Sequence, residues 1–120
     1  MARRSIAWDL HVLWSLEDEF AFSNRAETEE RIRKRLKRRK LGPYDQARVD
    51  ELRGIKDFLQ REVAAQERSR YWLGMSGHFV AMTDFDVAGL TRDVIARHPR
   101  VTRMALRAFV ARAVALYHLL

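Results

Sequence analysis

The chain has 120 residues, of which 48% are apolar, and a formal net charge of +7 from 23 Lys and Arg against 16 Asp and Glu. This length suits a single domain, the large apolar fraction excludes a disordered chain, and the absence of Cys excludes disulfides and thiolate metal sites. With five Gly and two Pro and little alternation of β-branched and polar residues, the sequence predicts an all-α domain over residues 1–120. Apolar periodicity and capping signals place five helices, at about 5–22, 25–41, 45–73, 84–98 and 102–120.

The first predicted helix follows Ser5, a suitable N-cap, and carries apolar residues at helical spacing. We expect its apolar stripe to include Ile6, Leu10 and Leu13. Trp8 and Trp14 widen that stripe and are expected to be buried anchors, with exposed base-stacking platforms as the alternative.

The second predicted helix contains the most polarised segment of the chain, Arg31 to Lys40, with eight cations in ten positions. Asn24 to Glu27 has the form of a capping box, and Gly42-Pro43 is a typical helix end. Acidic residues stand four positions before some of these cations, as Glu30 does before Lys34, but Lys37 to Lys40 have no such partners. The segment is either a solvated helix face or a surface for phosphate or an acidic protein.

The third predicted helix is the long central one, from the N-cap Asp45 to Leu73. Its apolar stripe sets the expected core and consists of Val49, Leu52, Ile55, Leu59 and Val63. Gly54 is expected to weaken it locally.

The last two predicted helices are joined at His98-Pro99. The segment Thr91 to Phe109 resembles a helix-turn-helix, with Val101 in the turn, Thr102 capping the second helix and Leu106 facing inward. This resemblance implies groove-facing Arg103 and Arg107, with Thr102 on a phosphate. Pro99 and Arg100 depart from the pattern, and the alternative is two ordinary core helices joined by a Pro turn.

Catalytic and membrane functions find little support in the sequence. The four His lack zinc-ligand spacing, and no phosphate-binding loop or nucleophile motif is present, so we expect no enzyme, no cofactor and no metal. The start of the chain lacks the pattern of a signal peptide, and the apolar last helix contains Arg103, Arg107 and Arg112, which argues against a membrane span. We expect a cytoplasmic protein.

The excess charge indicates a polyanionic partner. Mixed Arg and Lys without directed neighbours suit the phosphate backbone of DNA or RNA better than base reading. We therefore expect sequence-nonspecific nucleic-acid binding, by a small subunit of a nucleoprotein complex or a DNA-binding regulator. The alternative is an adaptor or inhibitor that docks its basic face on an acidic or nucleic-acid-binding protein surface, and a homo-oligomer is compatible with either. The expected binding residues are Arg31, Lys34, Arg35, Lys37, Arg38, Arg39, Lys40, Arg100, Thr102, Arg103 and Arg107.

Overall fold

A computed structural model describes residues 5–17, 19, 24–74 and 85–117, which form five α-helices and one 3-10 turn. The described residues contain no strand, and one isolated antiparallel bridge joins Trp72 to Phe85. The all-α prediction and its long central helix are confirmed. The helices are α1 (Ile6–Leu16), α2 (Arg25–Arg38), α3 (Gln46–Ala65), α4 (Val87–Arg97) and α5 (Arg103–Tyr117), and the 3-10 turn, Gln66–Arg68, follows α3 directly.

The starts of α1, α2 and α3 follow the capping signals of the sequence, whereas α4 begins at Val87 after its N-cap Asp86, later than the predicted start at about 84, a residue outside the described part. In each case a side-chain oxygen accepts a hydrogen bond from the backbone N–H three residues further along, at 2.9–3.2 Å. This contact satisfies one of the N–H groups that a helix start leaves without a partner. The capping residues are Ser5, Asn24, Asp45 and Asp86.

The helix ends differ from the prediction. The α1 helix ends at Leu16, and the predicted residues 18 and 20–22 lie outside the described part. The α3 helix ends at Ala65 instead of Leu73 because Gln66, the first residue of the 3-10 turn, adopts a left-handed φ of 49°. Beyond that turn, the Ser69 hydroxyl accepts a hydrogen bond from the backbone N–H of Tyr71 at 3.1 Å. The Tyr71 side chain is 4% exposed, so the segment after α3 contributes an aromatic residue to the core.

The chain divides into two compact units, Met1–Lys56 and Asp57–Leu120. In the first unit α1 packs against α2. Trp8 and Leu13 are fully buried, whereas Ile6 is 40% exposed, so the buried stripe of α1 is rotated from the predicted one. The part of the predicted α3 stripe in this unit, Val49, Leu52 and Ile55, is buried as expected.

In the second unit α4 packs against α5. The backbone bridge between Trp72 and Phe85 brings their rings into edge-to-face contact, with centroids 5.3 Å apart. The hydroxyl of Tyr71 donates to Asp93 at 2.7 Å and ties the segment after α3 to α4. The core of the unit comprises Leu59, Val63, Tyr71, Phe85, Leu90, Val94, Val101, Leu106, Phe109 and Val110.

Candidate nucleic-acid interface

The basic helix α2 is held to its unit by a narrow buried stripe. Thr28, Ile32 and Leu36, spaced one turn apart, are its buried residues. Because these three lie on one side, the remaining positions face outward or lie at the edge of the contact. This arrangement puts the cations of the segment 31–40 at the surface, and all of them are exposed except Arg35, which is half-buried.

The last four cations, Lys37, Arg38, Arg39 and Lys40, form what we call the cationic end of α2. Within the described part of the chain none of the four has a carboxylate at ion-pair distance. The predicted pair one turn earlier is present, with Lys34 Nζ 4.0 Å from Glu30 Oε1. The sequence therefore located the unpaired part of the segment correctly.

Arg35 points inward, toward α1, instead of joining this surface. Its Nη1 atom donates to Ser15 Oγ at 3.0 Å and lies 3.4 Å from the His11 carbonyl oxygen. The side chain thus ties α2 to α1 beneath the cationic end. This placement differs from the exposed binding role that the sequence suggested.

The cationic end is closed by a tight C-terminal turn. The backbone N–H of Leu41 donates to the Leu36 carbonyl and that of Lys40 to the Lys37 carbonyl, at 3.0 and 3.2 Å. These two bonds form a Schellman motif, whose residue after the cap adopts a left-handed conformation. That residue is Lys40, with φ of 55°, at a position where Gly is usual.

The segment after α2 is fixed by two side-chain contacts. The indole Nε1 of Trp8 donates to the Pro43 carbonyl at 3.2 Å, and the guanidinium of Arg33 lies 4.1 Å from the centroid of the Tyr44 ring. Trp8 is fully buried, as predicted. A base-stacking role for Trp8 is thereby excluded, because its ring faces the core.

Elsewhere in the same unit, a network of carboxylates neutralises Arg53. Arg53, 8% exposed, donates to Glu19 at 2.8 and 3.0 Å, to Asp50 at 3.0 Å and to Glu29 at 3.2 Å. Burial lowers the pKa of the Arg53 guanidinium, but the hydrogen bonds with Glu19 and Glu29 outweigh burial and the pKa is raised overall. No sequence spacing pointed to this residue, because its partners come from distant segments.

The Glu29 carboxylate belongs to the same network. The Gln46 amide donates to it at 2.8 Å and lowers its pKa, partial burial acts in the opposite direction, and Arg53 lowers the pKa further. Glu29 therefore does not pair with Arg33 one turn later. Local carboxylates are used to hold α2 and α3 together, not to neutralise the cationic end.

His11 lies on α1 close to the cationic end and is in edge-to-face contact with Trp14, with ring centroids 5.2 Å apart. Burial, followed by the positive charges of Arg35 and Arg39, lowers the pKa of His11 from its ordinary value of 6.5. Burial and, to a lesser extent, the same charges that would attract an anion thus favour the neutral imidazole by lowering its pKa. Sequence reasoning gave His11 no role.

The second predicted cluster lies in the other unit, at the start of α5. Arg100, Arg103 and Arg107 are exposed, and Thr102 is half-buried, with its carbonyl accepting from the Leu106 N–H at 3.1 Å. Val101, Leu106 and Phe109 are at most 2% exposed and face inward, as the resemblance to a helix-turn-helix implied.

A groove runs between α4 and α5 beside this cluster. It has a volume of about 620 Å³ and is lined by Ala88, Thr91, Arg92, Ile95, Ala96, Arg103 and Arg107. Ala96 is exposed and Ile95 half-buried, so the two helices leave an open apolar floor bordered by arginines. The contribution of Arg92 was missed, because it appears only when α4 and α5 are placed side by side.

The described residues offer exposed cations but no cluster of metal ligands. Among them no group of three His, Asp or Glu is placed to hold a metal ion. In the same part of the chain, none of the helices has the length and hydropathy needed to cross a membrane. What α2 presents is a row of exposed cations on a fixed backbone, which can contact several anionic groups at once.

Comparisons with protein-family models, curated proteins and solved structures found no match to this chain.

Proposed function

We propose that the protein binds the phosphate backbone of a nucleic acid, without reading its sequence, through the cationic end of α2. Arg31 and Lys34 extend the surface along the same helix. Arg35 holds α2 against α1 by its hydrogen bond to Ser15. The observation that carries the proposal is the contrast within one unit. Arg25, Arg48 and Arg53 are each paired with carboxylates, whereas Lys37 to Lys40 are exposed and unpaired within the described residues.

This contrast favours a polyanion over a purely solvated face. Four neighbouring cations repel one another, and a helix C-terminus offsets only part of that repulsion because its partial negative charge is about half an elementary charge. Phosphates or carboxylates of a partner would relieve the remainder. The cationic end mixes Arg and Lys, whose charges no carboxylate among the described residues holds in one direction, which favours contact with the phosphate backbone.

The proposal predicts how strongly the affinity for nucleic acid depends on salt concentration. If each of the four cations neutralises one phosphate of duplex DNA, log K falls with log salt with a slope of about −0.9 per contact, or about −3.6 in total. Affinity would then fall about 100-fold between roughly 50 and 200 mM salt.

The test is fluorescence anisotropy with labelled single- and double-stranded DNA and RNA across a salt series. A Lys37→Gln/Arg38→Gln variant should bind more weakly and reduce the slope by about 1.8. The matched control is Arg61→Gln/Arg68→Gln, which removes two exposed cations of the second unit and gives the same net charge of +5 (7 − 2). Equal losses in both variants would mean that net charge alone attracts the nucleic acid and would contradict a site on α2.

The competing function is docking on an acidic protein. It shares the cationic surface and differs in the ligand. Absence of binding to all four nucleic acids at low salt would contradict our proposal and favour this alternative, which is then tested with an acidic protein surface in the same variants.

A further inference from the structure

We infer that the groove between α4 and α5 is a docking site for an acidic amphipathic helix of a partner protein. This inference does not rest on the proposed nucleic-acid function, because the groove and the cationic end of α2 belong to different units of the chain.

The floor of the groove is apolar and built from short side chains. Ala88 and Ala96 are exposed and Ile95 is half-buried. The one hydroxyl in the lining, that of Thr91, donates to the Val87 carbonyl at 2.7 Å and is thereby used within α4. A partner would gain by burying apolar side chains here, and the small alanines allow the backbone of a helix to approach closely.

The rim of the groove is positive. Arg92, Arg103 and Arg107 are exposed, and none of the three has an ion-pair partner among the described residues. The nearest carboxylate on α4 in sequence, Asp93, is already engaged by the Tyr71 hydroxyl at 2.7 Å and by Arg70 at 3.9 Å. Charge complementarity therefore calls for a partner with carboxylates beside its apolar side chains.

The spacing of the arginines suits a helix. Arg103 and Arg107 are four residues apart on α5, about 6 Å along the axis. Two carboxylates four residues apart on a partner helix repeat the same distance, and an apolar stripe between them would lie over Ala96 and Ile95.

A nucleic acid fits this groove less well than it fits α2. Single strands bind to platforms of aromatic side chains, and the lining contains none. A duplex would contact the rim through its phosphates, but its apolar groups in the major groove are isolated thymine methyls, so it would leave most of the alanine floor unused.

The experiment uses the full chain and a labelled synthetic peptide of about 18 residues with Leu at every third or fourth position and Glu at positions four apart beside them. We expect saturable binding in fluorescence anisotropy that is weakened about tenfold or more by Arg103→Gln/Arg107→Gln and lost in Ala96→Glu, which puts a carboxylate on the floor. Arg61→Gln/Arg68→Gln removes the same charge from two exposed residues outside the groove lining and should change the peptide affinity less than about twofold. A scrambled peptide of identical composition should not bind.

Several results would overturn the inference. Equal binding of the scrambled peptide would show attraction by charge alone. No peptide binding, together with loss of duplex-DNA affinity in Arg103→Gln/Arg107→Gln, would make the cluster a nucleic-acid site, as the helix-turn-helix resemblance implied. A dimer in sedimentation velocity that Ala96→Glu dissociates would show a second copy in the groove. Because Ala96 and both arginines are exposed, each variant should keep the wild-type helical circular dichroism, and this is checked first.

Discussion

Lys40 adopts a backbone conformation that favours glycine. Substitutions at this position can therefore distinguish an effect on the free energy of unfolding from an effect on ligand affinity. The φ of 55° at Lys40 places this residue in the left-handed region, where it closes the Schellman turn at the end of α2. We compare Lys40→Gly with Lys40→Ala. Both remove the charge and any interaction with the helix dipole, but the glycine alone relieves the strained φ.

The expected difference follows from two opposing terms. A left-handed conformation destabilises the folded state of an L-residue by about 1–2 kcal/mol, a cost that glycine avoids. The greater conformational freedom of glycine in the unfolded chain opposes this gain by about 0.4–1 kcal/mol. Lys40→Gly should therefore be more stable than Lys40→Ala by about 0.5–1 kcal/mol. For a chain of this length that corresponds to about 2–4 °C in Tm.

The assay pairs urea unfolding, followed by circular dichroism, with the salt series of DNA binding. Both variants should lose affinity alike and reduce the salt slope by about 0.9 if Lys40 contacts a phosphate. Equal stability of the two variants would refute the strain assigned to Lys40, and unchanged salt slopes would remove it from the binding surface. The expected pattern is two variants that lose affinity equally but differ in stability, which separates the backbone strain at Lys40 from its charge.

Three further predictions concern other positions. Gly54→Ala should stabilise the protein by about 0.5–1 kcal/mol in urea unfolding, because Gly54 is exposed within α3 and an added Cβ meets nothing within 4 Å. Because the His11 pKa is lowered, the unfolded state binds more protons just below pH 6.5, so His11 should make stability fall on acidification there, and His11→Gln should flatten that profile. Tyr71→Phe should cost about 1–2 kcal/mol in urea unfolding by removing the hydrogen bond to Asp93.

Controls for these predictions are available in the same chain. Gly89→Ala should gain less than Gly54→Ala, since an added Cβ there would clash with the carboxylate of Asp86 that caps α4. An equal gain would contradict the assigned capping role.

For His11, an NMR titration with a polyanion should show the pKa rising as the charge of Arg39 is neutralised, and an unmoved pKa would place the anion elsewhere.

The starts of the first three helices were predictable because their causes are local. Ser5, Asn24 and Asp45, the caps that the sequence identified, act through hydrogen bonds that reach three residues along the chain, and such signals are readable in sequence. The unpaired charge of the cationic end was readable for the same reason, since carboxylates one turn away are visible in the sequence.

What the sequence could not provide depends on distant contacts. The end of α3 at Ala65 has no Gly or Pro to mark it; it occurs where Gln66 adopts a left-handed φ of 49°, and the chain beyond it buries Tyr71 and pairs Trp72 with Phe85. The inward turn of Arg35 likewise requires Ser15 of another helix. Tertiary contacts of this kind override local propensity and leave no periodic signal.

The contacts that close α2 also determine how much conformational entropy a ligand must remove. Because the Leu41 N–H bonds to the Leu36 carbonyl and the Trp8 indole holds the Pro43 carbonyl, the backbone beneath the cations is ordered before any anion arrives. An isolated peptide of residues 31–40 carries the same eight cations but would have to fix each backbone residue at about 1–2 kcal/mol. If the proposed binding occurs, the folded protein would lose only side-chain freedom, so this preorganisation, rather than additional charge, would set its affinity apart from that of a free basic peptide.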